Sequence, residues 1–173
     1  MNVILIGYMG SGKSSVGRKL SEVLQYDYLD LDDYIQQQEG KTITEIFKNR
    51  GEIYFRKVES KYLNELISSK DNTIISLGGG TPCYGNNMEA IKNSNDTISI
   101  YLKTSIAILS DRLFLEKDKR PLISHLEDKD ELIEFIGKHL FERSAYYNQS
   151  DIIINTDQKS LEEVVEAIVA RLI

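Results

Sequence analysis

Cysteine is almost absent from this chain: Cys83 stands alone, so neither an internal disulfide nor a cysteine-rich zinc site can form, which agrees with a reducing compartment. The two histidines, His125 and His139, have no partner at metal-ligating spacing and read as ordinary polar residues. Tyr146 and Tyr147 read as packing. The apolar start, Met1 to Ile6, runs into glycine with no basic segment before it and no small-residue cleavage site after it, so a secretory leader is not expected and the cytoplasm is. Basic residues are also in deficit. Lys and Arg number 21 against 27 Asp and Glu, a net charge of -6, which argues against binding nucleic acid through a basic face. Any anion site must therefore be built locally from a few cations. With 41% hydrophobic and 28% charged residues over 173 positions, disorder and membrane spans are disfavoured, and one soluble domain with mobile flaps is expected.

What is present is a regular alternation. Val3 to Ile6 is a short apolar run ending in glycine, and Ser14 to Leu24 carries Val16, Leu20, Val23 and Leu24 at helical spacing. A second strand over about Tyr26 to Leu29 runs into Asp30 to Asp33, and Tyr34 to Glu39 reads as a short helix stopped at Gly40. Thr42 and Glu45 have capping-box spacing, which predicts a helix to about Gly51, followed by another over about Arg56 to Ile67. Strands are expected at Thr73 to Leu77, Thr97 to Leu102 and Asp151 to Asn155, with helices over about Ser105 to Leu115 and Lys129 to Tyr147. Between Glu116 and Asp130 the chain turns charged and contains Pro121, a loop or flap. Ser160 to Glu163 caps a last helix with Val164, Ile168 and Leu172 on one face.

This pattern predicts an α/β fold of three layers: a five-stranded parallel sheet with helices on both faces, because parallel strands need long crossovers. Ligands in such sheets bind beyond the carboxyl ends of the strands. Three of those ends carry unusual residues: Gly7 onward, Asp30 to Asp33, and Gly78 to Gly80.

Gly7-Tyr8-Met9-Gly10-Ser11-Gly12-Lys13-Ser14 fits the phosphate-loop spacing G-x-x-x-x-G-K-[ST], between a predicted strand and helix as that motif requires. Glycines let successive backbone N–H groups converge on phosphate oxygens, and the helix N-terminus adds its positive dipole end. Gly10, Ser11, Gly12, Lys13, Ser14 and Ser15 are the candidate contacts to ATP or GTP, with Lys13 reaching the β and γ oxygens and Ser14 offering a hard oxygen to Mg²⁺. An N-K-x-D guanine motif is missing: Asn155-Thr156-Asp157 lacks its lysine, so a small kinase is expected rather than a GTPase.

The phosphate loop, with Asp30-Leu31-Asp32, Phe55-Arg56, Gly78-Gly79-Gly80, Arg120-Pro121-Leu122 and Glu142-Arg143, resembles the shikimate kinases over nearly the full length and in matching order. The resemblance implies a nucleoside-monophosphate-kinase-like P-loop fold spanning 1–173, with a helical acceptor-binding segment at about 31–62 and a mobile lid at about 113–126. It implies transfer of the ATP γ-phosphate to a ring hydroxyl of shikimate, giving shikimate 3-phosphate in aromatic amino acid biosynthesis, with ATP and Mg²⁺, by a monomer with no nucleic-acid or membrane partner.

By the same resemblance Asp30 and Ser14 serve the metal, and Asp32 grips acceptor hydroxyls and assists loss of the attacking proton. Two residues apart after a strand, the two acids would share a face in extended geometry; the rival reading has them capping the next helix. Arg56 and Arg143 offer planar forks to the acceptor carboxylate, and Gly78, Gly79 and Gly80 line its pocket. Ser144-Ala145-Tyr146-Tyr147 departs from the proline-containing pattern that follows this arginine in the family. Arg120 in the lid supplies charge to the transferring group and Arg112 packs on adenine, so Lys13, Asp32 and Arg120 form the catalytic set. A gluconate or nucleoside monophosphate kinase, or a nucleotide-binding module without turnover, remains an alternative.

Overall fold

The computed structural model describes residues 1–173. Its strands are β1 (Asn2–Ile6), β2 (Asp27–Asp30), β3 (Thr73–Ser76), β4 (Thr97–Lys103) and β5 (Ile152–Asn155), joined in one parallel sheet of order β2-β3-β1-β4-β5. The helices are α1 (Lys13–Leu24), α2 (Leu31–Glu39), α3 (Ile43–Ser69), α4 (Asn87–Lys92), α5 (Ile106–Glu116), α6 (Lys129–Tyr147) and α7 (Leu161–Leu172). No helix is long and apolar enough to cross a membrane.

The period of two along a strand divides β1 between two cores. Val3 and Leu5 pack with Val16 and Leu20 of α1 and Val164, Val165 and Ile168 of α7. Ile4 and Ile6 face the opposite way, toward Leu31 and Ile35 of α2 and Phe55, Leu63 and Leu66 of α3. Each such side chain, taken fully out of water, contributes about 1.5–3 kcal/mol before entropy is counted. A third, smaller cluster joins Tyr8, Leu109, Leu113, Ile123, Leu132 and Ile136, tying the phosphate loop to α5, α6 and the segment between them.

Three boundaries differ from the sequence expectation. The helix expected from Tyr34 starts at Leu31, because the Asp30 side chain accepts from the Asp33 N–H at 3.1 Å and caps it. The two helices expected between Thr42 and Ile67 run together as α3, broken only at Gly51, whose φ of 84° is open to glycine and strained for other residues. The first residues of the expected lid, from Leu113 to Glu116, belong to α5 and are followed by a 3-10 turn, Lys117–Lys119.

Candidate active site

Gly7 to Ser14 fold around the N-terminus of α1 at the carboxyl end of the central strand β1. Gly10 and Gly12 hold φ of 81° and 94°, and the Ser11 N–H donates to the Tyr8 carbonyl at 3.1 Å to close the turn. No side chain caps α1, so its first N–H groups remain available to an anion. Lys13 folds back, donating to the carbonyls of Gly7 at 2.7 Å and Tyr8 at 3.1 Å. Burial lowers its ammonium to about 8 against the opposing pull of Asp32 and Asp30, so it stays mostly cationic at pH 7. Ser14 and Ser15 reach the surface, while the Ser11 hydroxyl is buried without a partner.

A cleft of about 670 Å³ opens over this loop, and Asp30, Asp32, Gly78, Gly79, Arg112 and Arg120 all line it. The two acids do not share an extended segment as expected: Asp30 ends β2 and caps α2, and Asp32 already lies in the first turn of α2. The strand-to-helix turn nonetheless leaves both facing the cleft. Burial, then the neighbouring Asp30 and Glu59, raises the Asp32 carboxyl to about 6; burial also raises Asp30. No group of three carboxylate, histidine or cysteine side chains forms a cation cage. The cleft does bring the Ser14 hydroxyl together with two carboxylates, a hard-oxygen set that fits Mg²⁺ held largely by phosphate and water.

Each glycine of the Gly78–Gly80 turn abuts a different predicted acceptor-site side chain. A Cβ at Gly78 would sit 3.3 Å from an Asp32 oxygen, one at Gly79 3.1 Å from the Arg143 guanidinium, and one at Gly80 3.0 Å from that of Arg56. None of the three has a left-handed backbone. Arg56 donates to Glu59 at 2.8 Å and stacks 3.8 Å from the Tyr84 ring centroid. Arg56 lines a separate groove with Lys57, Ser60 and Tyr84, and neither Gly80 nor Arg143 lines the main cleft.

Glu59, which the sequence alone did not single out, is 1% exposed; its second oxygen accepts from the Thr81 hydroxyl at 2.8 Å. The available signal is its place in the otherwise apolar stripe Phe55, Val58, Tyr62, Leu63 and Leu66. An acid there is buried, and a buried carboxylate needs partners. Thr156, Lys159 and Ser160, which follow β5 and also line the cleft, belong to no motif that marks them as ligand contacts.

Arg112 donates to the Gly10 carbonyl at 3.0 Å, holding the α5 end to the phosphate loop. Arg120 is bound by Glu116 one helical turn earlier, at 3.0 and 2.8 Å from a single carboxylate oxygen. Tyr147, read as packing, is fully buried and also donates to the Gly79 carbonyl at 2.5 Å. His139, read as an ordinary polar residue, lies 2.8 Å from the Tyr8 hydroxyl. Cys83, in the turn after the glycines, is partly buried, and burial pushes its thiol up to about 11.

A parallel sheet with a lysine-bearing phosphate loop on its central strand, and acids and arginines arranged beyond the strand ends, defines a P-loop phosphotransferase of small molecules. The sequence profile of the shikimate kinase family matches residues 9–173, and the chain belongs to that family. It is 47% identical over 166 residues to shikimate kinase from Flavobacterium johnsoniae, covering 96% of this chain and 95% of the relative. Shikimate kinase from Bacteroides thetaiotaomicron has a crystal structure that superposes with a TM-score of 0.90 at 34% identity, covering 99% of this chain and 98% of the other. The shikimate kinase of Acinetobacter baumannii in complex with shikimate superposes with a TM-score of 0.84 at 32% identity, covering 99% of this chain and 92% of the other.

Proposed function

We infer that this chain phosphorylates a ring hydroxyl of shikimate with ATP, giving shikimate 3-phosphate for aromatic amino acid biosynthesis. The observation that carries the acceptor side is the glycine turn: an acid and two guanidinium groups converge on three consecutive residues without side chains, beside the phosphate loop. A carbocyclic acceptor bearing hydroxyls and one carboxylate matches that set, with Asp32 on the hydroxyls and Arg56 and Arg143 on the carboxylate. An acceptor carrying a phosphate would bring more negative charge toward Asp32 and Asp30.

Attack on the γ-phosphate needs a proton acceptor and charge compensation. Asp32 serves as the base, and its raised carboxyl lies near the working pH, where proton transfer is most efficient. Lys13 lies against the β and γ oxygens once it leaves the loop carbonyls, and Arg120 adds charge when the lid closes and Glu116 releases it. Arg112 flanks the adenine. Ser14 and Asp30 would hold Mg²⁺, which would supply charge neutralisation at the phosphates. We further propose that the chain acts as a monomer in the cytoplasm. Turnover with shikimate, gluconate and AMP, each followed by ADP release, tests the reading. Shikimate alone should give rapid turnover; equal turnover of gluconate or AMP overturns the assignment.

A further inference from the structure

His139, Arg143 and Tyr147 stand at i, i+4 and i+8 on α6 and so share one face. Each is tied to one of the two glycine loops. Tyr147 donates to the Gly79 carbonyl, Arg143 packs where a Gly79 side chain would be, and His139 meets the Tyr8 hydroxyl at 2.8 Å. Tyr8 belongs to the phosphate loop, and its carbonyl accepts from both Lys13 and Ser11. Tyr8 is 1% exposed, and its ring lies 5.7 Å from the Arg143 guanidinium carbon, on the face of α6 that His139 shares.

The two acceptor arginines are held in different ways. Arg56 has a buried carboxylate, Glu59, to orient it. Arg143 takes part in none of the molecule's ion pairs, so its placement falls to its packing neighbours: Tyr8, Gly79 and Tyr147. The Tyr8 ring can do this only if it is itself fixed. A buried hydroxyl left without a partner is costly, and His139 is the partner. The imidazole is in turn held edge-on against Phe135, at 4.5 Å between centroids and 68° between planes.

We propose that His139 is a positioning residue for acceptor binding: it fixes the Tyr8 ring, and through it the Arg143 guanidinium, in the place the acceptor carboxylate requires. The proposal rests on the reading of Arg143 as a carboxylate ligand. One set of steady-state measurements separates the two. His139→Leu, His139→Asn, Tyr8→Phe and Arg143→Ala are compared with the parent chain, using shikimate and its methyl ester, which has the same hydroxyls without the negative charge.

His139→Leu should raise the KM for shikimate about fivefold while leaving kcat, the KM for MgATP and the KM for the ester within about twofold. Asparagine, whose amide reaches the place of Nδ1, should restore the parent KM. Tyr8→Phe, which removes the same hydrogen bond with little change in volume, should reproduce the selective rise even if the leucine variant folds poorly. A rise shared equally by acid and ester, or an unrescued folded asparagine variant, overturns the positioning role. Arg143→Ala should sharply narrow the preference for acid over ester, the remainder being held by Arg56. If it leaves that preference intact, the carboxylate assignment itself fails and the inference falls with it.

Discussion

Gly12 and Gly80, one in each ligand loop, are glycine for opposite reasons. In the phosphate loop, a Cβ added at Gly12 would meet nothing within 4 Å, but the backbone there has a φ of 94°, so glycine is present for its conformation. In the acceptor loop, Gly80 has an ordinary φ of -87°, but a Cβ would lie 3.0 Å from Arg56; there glycine is present for the room it leaves. The first loop presents backbone N–H groups to an anion, and the second lets side chains of distant elements converge. Damage to the two loops should accordingly fall on different substrates.

The largest effect is expected on the phosphate side. Lys13→Ala should keep the fold yet lower kcat/KM by about 10³-fold or more, since it deletes the cation at the transferring group. Near-native turnover by a folded variant would erase the division between the loops. Asp32, where the two sides meet, comes next. Asp32→Asn should cut kcat by about 10²-fold, the usual scale for a general base, with a smaller change in acceptor affinity. Its raised carboxyl also sets a sign: activity of the parent should fall as pH drops through about 6, where the base takes up a proton. The asparagine variant should lose that acid limb. If its limb is unchanged, another group is the base.

The comparison is sharpest in a pair of alanine substitutions. Gly12→Ala forces a left-handed alanine, costing roughly 1–2 kcal/mol, and should raise the KM for MgATP about tenfold while sparing the acceptor. Gly79→Ala should do the reverse, raising the KM for shikimate about tenfold by pushing Arg143 aside. Effects on the same substrate in both variants would show that the loops are not separable. Smallest of all, Glu116→Gln frees Arg120 from an exposed ion pair worth about 1 kcal/mol or less, and kcat should change less than about threefold.

Much of the fold is legible in the sequence because its signals are local. β1 and β3 are short, mostly apolar runs that lead into glycine, β4 ends on a lysine, and the capping boxes at Thr42 and Ser160 are both formed. The six-residue α4 escapes such reading because it spans fewer than two turns, too few for a periodic apolar face to show. Asp30 and Asp32 share an extended face only if the strand continues, whereas Asp30 ends it and caps a helix. At the site, Lys13, Asp30, Asp32, Gly78, Gly79, Arg112 and Arg120 line one cleft, while Arg56, Gly80 and Arg143 lie outside its lining. His139 and Tyr147 do not stand out, because their significance depends on partners 131 and 68 positions away. No spacing rule reaches across such distances.

The solitary cysteine bears on how the lid can be observed. With its thiol pushed up to about 11, Cys83 is almost wholly protonated near neutral pH, and the thiolate that attacks alkylating reagents is scarce. Leu122 is 62% exposed in the lid segment, next to Pro121 and two residues from Arg120. A cysteine introduced there would take up a fluorophore well ahead of Cys83. The native sequence thus offers a nearly silent background on which a single dye can test whether the proposed lid closes as ATP and shikimate arrive.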